Sequence, residues 1–328
     1  MRKEVLAVGC ALMVFCGCGK NNAAQHYESG WAAMEKKDYT TAVNEFQQVI
    51  DQNSRLAESY RAEGIAYYSE KAYPEAIAAF SRSLNNMDDP DKEFKKDVQF
   101  YLAQARMDYG EVDKAIEVYS EILKAGEDEQ AFFLRGKAYI SMEDYKNAEK
   151  DFQRALEGCE DYNLYINIYQ IYVDHNKAVD GDAYLKMALE LEPQDGEDCY
   201  HRGRIYEYEK NYEAARDELN TAMEQGYEDA MLLLGRVYLE MEDPASARSM
   251  YQEYLQKSEQ GAKAYNGLAM CDIYDGAYDS ALENIAQGLK ENSKEDEQGL
   301  LYNEIVAYEY KRDFATAKEK MKIYLEQY

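Results

Sequence analysis

Residues 36–50, KKDYTTAVNEFQQVI, decide the fold. Tyr39, Ala42 and Phe46 stand three and then four residues apart, a spacing that puts an aromatic, a small and a bulky side chain on one face of a helix. The same order returns as KAYPEAIAAFSRSL at 71–84, EDYKNAEKDFQRAL at 143–156, KNYEAARDELNTAM at 210–223, GAYDSALENIAQGL at 276–289 and KRDFATAKEKMKIYL at 311–325. The small column reads Ala42, Ala76, Ala115, Ala148, Gly181, Ala215, Ala247, Ala281 and Ala317, with successive separations of 32 to 39 residues. The bulky column reads Phe46, Phe80, Tyr119, Phe152, Leu185, Leu219, Tyr251, Ile285 and Met321. Upstream of each alanine a second small residue precedes a tyrosine by three, most cleanly at Gly64/Tyr67, Gly136/Tyr139, Gly203/Tyr206 and Gly235/Tyr238. Small residues let two helices approach closely, and the bulky residue fills the space beside them. One such hairpin cannot bury its apolar face alone, so it must stack on its neighbours.

The pattern resembles the tetratricopeptide repeat, whose period is 34 residues. The resemblance covers residues 23–328 in nine units, at 23–56, 57–95, 96–128, 129–161, 162–195, 196–227, 228–261, 262–297 and 298–328. It implies an all-α fold, an α-solenoid coiled as a right-handed superhelix of about nine helix-turn-helix units. Three units depart from the pattern. Ala103 and Arg106 stand for glycine and tyrosine in the third, Tyr169 and Gly181 for the small residue and alanine in the fifth, and Ile305 for the small residue in the ninth. Irregular packing is expected there. Residues 85–96 are expected to form a loop or a helix extension, and 291–298 a polar joint. The last helix, from about 316 to 328, is expected to act as its own polar cap through Lys318, Glu319, Lys320 and Lys322.

The first residues stand apart. Basic Arg2 and Lys3 precede the uncharged run Val5–Cys16, which reads as a secretory signal and is too short for a membrane-spanning helix. Its end, Phe15-Cys16-Gly17-Cys18, resembles the lipobox of bacterial lipoproteins, in which a small residue precedes the cysteine that is lipidated. The expectation is a signal peptide over 1–17, a lipidated (palmitate-bearing) Cys18 with a tether over 18–22, and a body exported and held on the outer face of a bacterial cell membrane, or an outer membrane where there is one. Cys159, Cys199 and Cys271 fit no zinc spacing and lie far apart along the array, so they read as small apolar fillers.

With 64 acidic and 37 basic residues the formal charge is −27, which repels phosphate backbones and argues against nucleic acid as a partner. The apolar share of 46% and only 4 prolines suit a helical core. The three histidines, His26, His175 and His201, form no metal-binding spacing, and the sequence holds no Walker loop, no Rossmann glycine pattern and no GxSxG. No enzyme and no cofactor is therefore expected.

In tetratricopeptide arrays the first helices of successive hairpins line a groove in which peptides or partner helices bind; the resemblance implies the same use here. The residue after each small position is expected on that face: Trp31, Ile65, Gln104, Lys137, Gln170, Arg204, Arg236, Met270 and Val306. Its middle five members are hydrogen-bond donors. One turn earlier come Tyr27, Arg61, Phe100, Phe133, Ile166, Tyr200, Leu232, Asn266 and Tyr302, which add aromatic surface. Together they describe a groove for an extended, partly anionic ligand, with Lys137, Arg204 and Arg236 holding carboxylates. The alternative is internal use: an Arg236–Glu240 helix pair, Lys137 and Arg204 paired with acids on the next hairpin, and Trp31 in the core of the first hairpin. The expected function is a membrane-anchored extracytoplasmic scaffold that binds a peptide segment or protein partner for an envelope assembly; the alternative is a receptor-like protein for a cell-wall fragment or other small anionic ligand. The oligomeric state is not legible.

Overall fold

The computed structural model describes residues 22–87, 91–258, 261–291 and 294–328. The lipobox and Cys18 lie outside them. The described residues form eighteen α-helices and no strands, as the repeat requires, and fall into two compact units. The first unit takes the chain to Cys159 together with 170–178. It contains α1 (Asn22–Glu35), α2 (Tyr39–Asp51), α3 (Leu56–Ser69), α4 (Tyr73–Asn85), α5 (Lys92–Tyr109), α6 (Val112–Ala125), α7 (Glu129–Ser141) and α8 (Tyr145–Ala155). The second takes 160–169 and 179–328. It contains α11 (Gly196–Tyr208), α12 (Tyr212–Glu224), α13 (Ala230–Glu240), α14 (Pro244–Lys257), α15 (Ala262–Tyr274), α16 (Tyr278–Lys290), α17 (Lys294–Tyr310) and α18 (Phe314–Gln327). The division passes through the fifth hairpin, α9 (Tyr162–Asp174) and α10 (Ala178–Leu189), where Tyr169 and Gly181 break the repeat pattern. A tyrosine at the small position blocks close helix approach. The Tyr169 ring instead meets Tyr208, with centroids 5.4 Å apart.

Within each unit odd- and even-numbered helices pair as hairpins and stack on the next pair. The alanine column is sealed: Ala42, Ala76, Ala115, Ala148, Ala215, Ala247 and Ala281 are fully buried. The bulky side chains sit over the small positions. A methyl group added at Gly30, Gly64 or Gly136 would fall under 3 Å from the ring of Phe46, Phe80 or Phe152, and one at Gly203 would meet Leu219 just as closely. Only glycine admits these contacts, so the spacing in the sequence is a record of helix proximity.

The turn inside each hairpin is equally regular. The residue two before the second helix is left-handed at Lys37, Lys71, Glu143, Asn176, Lys210, Glu242 and Arg312, all with φ between 57° and 65° and none of them glycine; glycine takes the place at Gly110 and Gly276. In five hairpins the next residue caps the second helix with its side chain: Asp38, Asp144, Asn211, Asp243 and Asp313 each accept from the backbone N–H three residues on.

Two expectations change and a third narrows. Residues 294–298 of the polar joint are the first turn of α17, because Lys, Glu and Gln are good helix formers and need no burial to hold the turn. Of residues 85–96, Asn85 ends α4 and 92–96 form the start of α5, the helix extension that is one of the two expected outcomes, while 88–90 lie outside the described residues. The last helix is a poor polar cap. Leu325 is 70% exposed at the repeat position where Ile50 and Leu156 are buried, and Phe314 and Ile323 are exposed beside the lysines.

Candidate functional site

In the first unit, Trp31 packs edge-on against Phe46 and Tyr27, at centroid distances of 5.6 and 6.3 Å, so it is tied to the first hairpin's core and only half-exposed. Arg61 is ion-paired with Asp97 of the next first helix, and its guanidinium lies over the Tyr101 ring at 5.3 Å. Phe133 leans on Phe152 at 6.1 Å. Gln104 donates to Asp108 at 3.0 Å, and the Tyr68 hydroxyl donates to the same carboxylate. Burial and that hydrogen bond push the Tyr68 phenol well above its ordinary value. Gln170 donates to Asp174 one turn on. Lys137 is exposed and has no ion-pair partner among the described residues. Phe100 and Gln104 line a cavity of about 320 Å³ together with Tyr68, Tyr101, Leu134 and Asp97.

In the second unit the cationic positions are already engaged. Arg236 grips Glu207 of the preceding first helix with two contacts, Nε to Oε1 at 2.6 Å and Nη2 to Oε2 at 2.7 Å. The expected pairing with Glu240 does not form; Glu240 accepts from the Tyr212 hydroxyl instead. A fork-to-fork contact across hairpins suits a guanidinium better than a single bond along its own helix. Arg204 donates to Nδ1 of the buried His201 at 3.2 Å and rests on the Tyr200 ring at 5.9 Å. The other imidazole nitrogen lies 3.0 Å from the side-chain amide of Asn163. Since arginine can only donate, His201 accepts at Nδ1. Burial, and secondarily the Arg204 charge, depress the His201 pKa to about 4, so it is neutral at physiological pH. Tyr302 stacks obliquely on Tyr324 and is half exposed.

Tyr200, Arg236 and Asn266 line a second cavity, of about 380 Å³, with Leu232 and Met270 as its apolar walls. Asp229, Lys263 and Asp296 line it as well. Lys263 has no ion-pair partner among the described residues. Asn266 accepts from Asn303 at 2.8 Å. Every residue lining either cavity comes from an odd-numbered helix or the residue preceding one, with a single exception, Tyr251 of α14. Sequence reading placed the first-helix columns on this face and missed Tyr251. The available signal was Gly267, a glycine two residues out of the repeat's register, combined with tyrosine in a bulky column otherwise mostly Phe, Leu or Ile.

The chemistry on offer is binding by aromatic faces and hydrogen bonds. Burial raises the thiol pKa of Cys199, and that of Cys271 to about 11, which leaves both as unreactive thiols. Among the described residues no group of three or more His, Cys, Asp or Glu side chains could hold a metal ion, and no helix is long and apolar enough to cross a membrane.

A family profile described as tetratricopeptide repeat matches residues 27–91, 200–262 and 232–297, and a second profile of the same description matches 129–161. Together they span more than half of the chain. The chain belongs to the tetratricopeptide repeat family. Among relatives of this tetratricopeptide repeat protein, the BBSome complex member BBS4 of Bos taurus is 26% identical over 103 residues, 31% of this chain and 20% of that protein's length. Among solved structures, yeast Tom70 superposes with a TM-score of 0.53 at 15% identity, covering 96% of this chain and 70% of that one. A tetratricopeptide repeat protein from Parabacteroides merdae ATCC 43184 gives a TM-score of 0.47 at 15% identity, over 93% and 99% of the two chains. At 15% identity the likeness to Tom70 is one of fold.

Proposed function

We propose that the chain is a binding scaffold that takes a peptide segment or protein partner along the face built by its first helices, and that it does so outside the cytoplasm, anchored by a lipid on Cys18. Membership of the tetratricopeptide family supports the first half. The observation that carries it is the location of the two cavities: each opens on the first-helix face of its own unit, and aromatic and amide side chains line both. Concave surface with apolar walls and a few directed polar groups is what recognition of a partner needs. The second half rests on the basic start, the short apolar run and Gly17-Cys18.

A photo-crosslinking side chain tests the binding face. Placed at Gln104 or Met270 it is expected to trap a discrete partner, whereas at Lys150 or Glu283, exposed on second helices, it is not. Equal trapping from both sets, or none from the first, would refute the reading. The anchor is tested separately: labelled palmitate is expected on the wild-type chain and absent from Cys18→Ser, which should also leave the membrane fraction.

A further inference from the structure

The second-unit cavity has a floor unlike anything else in the repeat. Tyr251 belongs to a second helix, and in its column the side chain normally ends against one small residue. Here the ring passes between two glycines on two neighbouring first helices. A Cβ added at Gly235 would lie 2.6 Å from Tyr251 Cζ, and one added at Gly267 would lie 2.3 Å from it. The phenolic end thus passes through the gap between α13 and α15 and becomes part of the cavity wall. The residue is only 4% exposed. Its hydroxyl has no hydrogen-bond partner among the described residues. The hydroxyl is not sealed off: it opens on the cavity, where it is left free to bond an occupant.

The surrounding groups define that occupant. Asn266 spends its oxygen on Asn303 and keeps its N–H groups. Arg236 spends Nε and Nη2 on Glu207 and keeps Nη1. Asp229 accepts from the Tyr254 hydroxyl with one oxygen, at 3.2 Å, and keeps the other. The cavity therefore presents donors at its floor and a carboxylate acceptor at its wall, with Leu232 and Met270 as apolar sides. Acids and bases both line it, Asp229 and Asp296 against Arg236 and Lys263, so a ligand carboxylate would meet the first pair, an ammonium the second, and a neutral group that both donates and accepts suits the whole. A main-chain amide runs along a groove and does not reach a recessed floor. A side-chain carboxamide does: its oxygen accepts from Tyr251 and its N–H donates to Asp229, while its methylenes lie on Leu232 and Met270.

We propose that this cavity is a receptor for a glutamine side chain of an extended partner peptide, with Tyr251 as the residue that selects it. The proposal rests on the scaffold reading above and names the group that scaffold recognises in its second unit.

The test uses the full chain carrying 13C-tyrosine, with the Tyr251 signal assigned by its absence from Tyr251→Phe. The probes are N-acetyl-glutamine methylamide and N-acetyl-glutamate methylamide, each titrated to about 50 mM, a range suited to fragments of this size. The glutamine probe is expected to move the Tyr251 signal saturably and the glutamate probe to bind several-fold more weakly. Tyr251→Phe keeps the ring between the glycines, so its urea midpoint should hold while binding, followed at the Asn266 side-chain amide, weakens about tenfold. An unmoved Tyr251 signal, or a glutamate probe that binds as well as the glutamine probe, overturns the proposal. If the Met270 crosslinker still traps its partner in that event, the scaffold reading stands and only the glutamine receptor falls; loss of both removes the reading beneath it.

Discussion

At the scale of single residues, packing at the small and bulky columns sets the energetics. Gly267→Ala forces a methyl group into Tyr251 and should lower stability by about 1–3 kcal/mol, the usual cost of overpacking. In a Tyr251→Ala background the same substitution should cost far less, because the truncated side chain frees the space; urea denaturation of the four proteins in the cycle measures this coupling. Glu63 is a second sensitive residue. It is 3% exposed, its Oε2 lacks a partner, and burial raises its pKa above 4.5 against a smaller opposing pull from Arg82. A carboxyl whose folded pKa is raised contributes stability below its unfolded value and loses it as pH climbs through the folded one. Glu63→Gln should therefore melt higher than the wild type at pH 8, with the gap closing by pH 4.5. His201 works in the opposite sense. Its folded pKa of about 4 lies below 6.5, so its contribution is complete above the unfolded value and declines as the pH drops from there toward 4. Replacing it with asparagine should flatten that part of the acid side of a stability profile.

At the scale of helices, the caps and turns carry the argument. Asp144 holds the start of α8 by accepting from the Asn147 backbone and side chain at 3.2 and 2.7 Å. Asp144→Ala should lower the thermal midpoint by an amount equivalent to about 1 kcal/mol. Hydrogen bonds from Thr41, Ser246 and Thr316 hold the carboxyls of Asp38, Asp243 and Asp313 below their ordinary 3.8, so these caps hold above that value and fail in stronger acid. The sequence made the hairpins legible because Ala42 and Phe46 can be counted without knowing what they touch. It left the side-chain partners illegible. Glu240, one turn along from Arg236, was the obvious neighbour, while Glu207, 29 residues away, is the one that satisfies two nitrogens at once. The cavity residues divide the same way. Gln104 and Asn266 follow from their place in the column, whereas Tyr251 reaches the first-helix face only because of Gly267 on a different hairpin.

For the whole chain, charge and stacking matter most. A formal charge of −27 spread over 328 residues works against compaction, so raising the salt concentration from about 20 mM to about 300 mM should raise the thermal midpoint as the Debye length contracts. Each hairpin meets chiefly its neighbours, so a lesion should act locally. Phe80→Ala, which empties a fully buried site in the first unit, should cost about 3–5 kcal/mol there. Amide exchange should then quicken around α3 to α5 and stay slow around α13 to α15. Uniform acceleration along the chain would show that the two units unfold as one.

The left-handed turn residues have a practical consequence. Seven of them bear side chains in a conformation that glycine would adopt with less strain, and none of the seven lines a cavity. They form a set of independent dials. Changing them one at a time, Lys210→Gly and then Glu242→Gly, would yield a graded series of proteins with identical recognition surfaces and different rigidity, and so a direct way to ask how much give a partner requires.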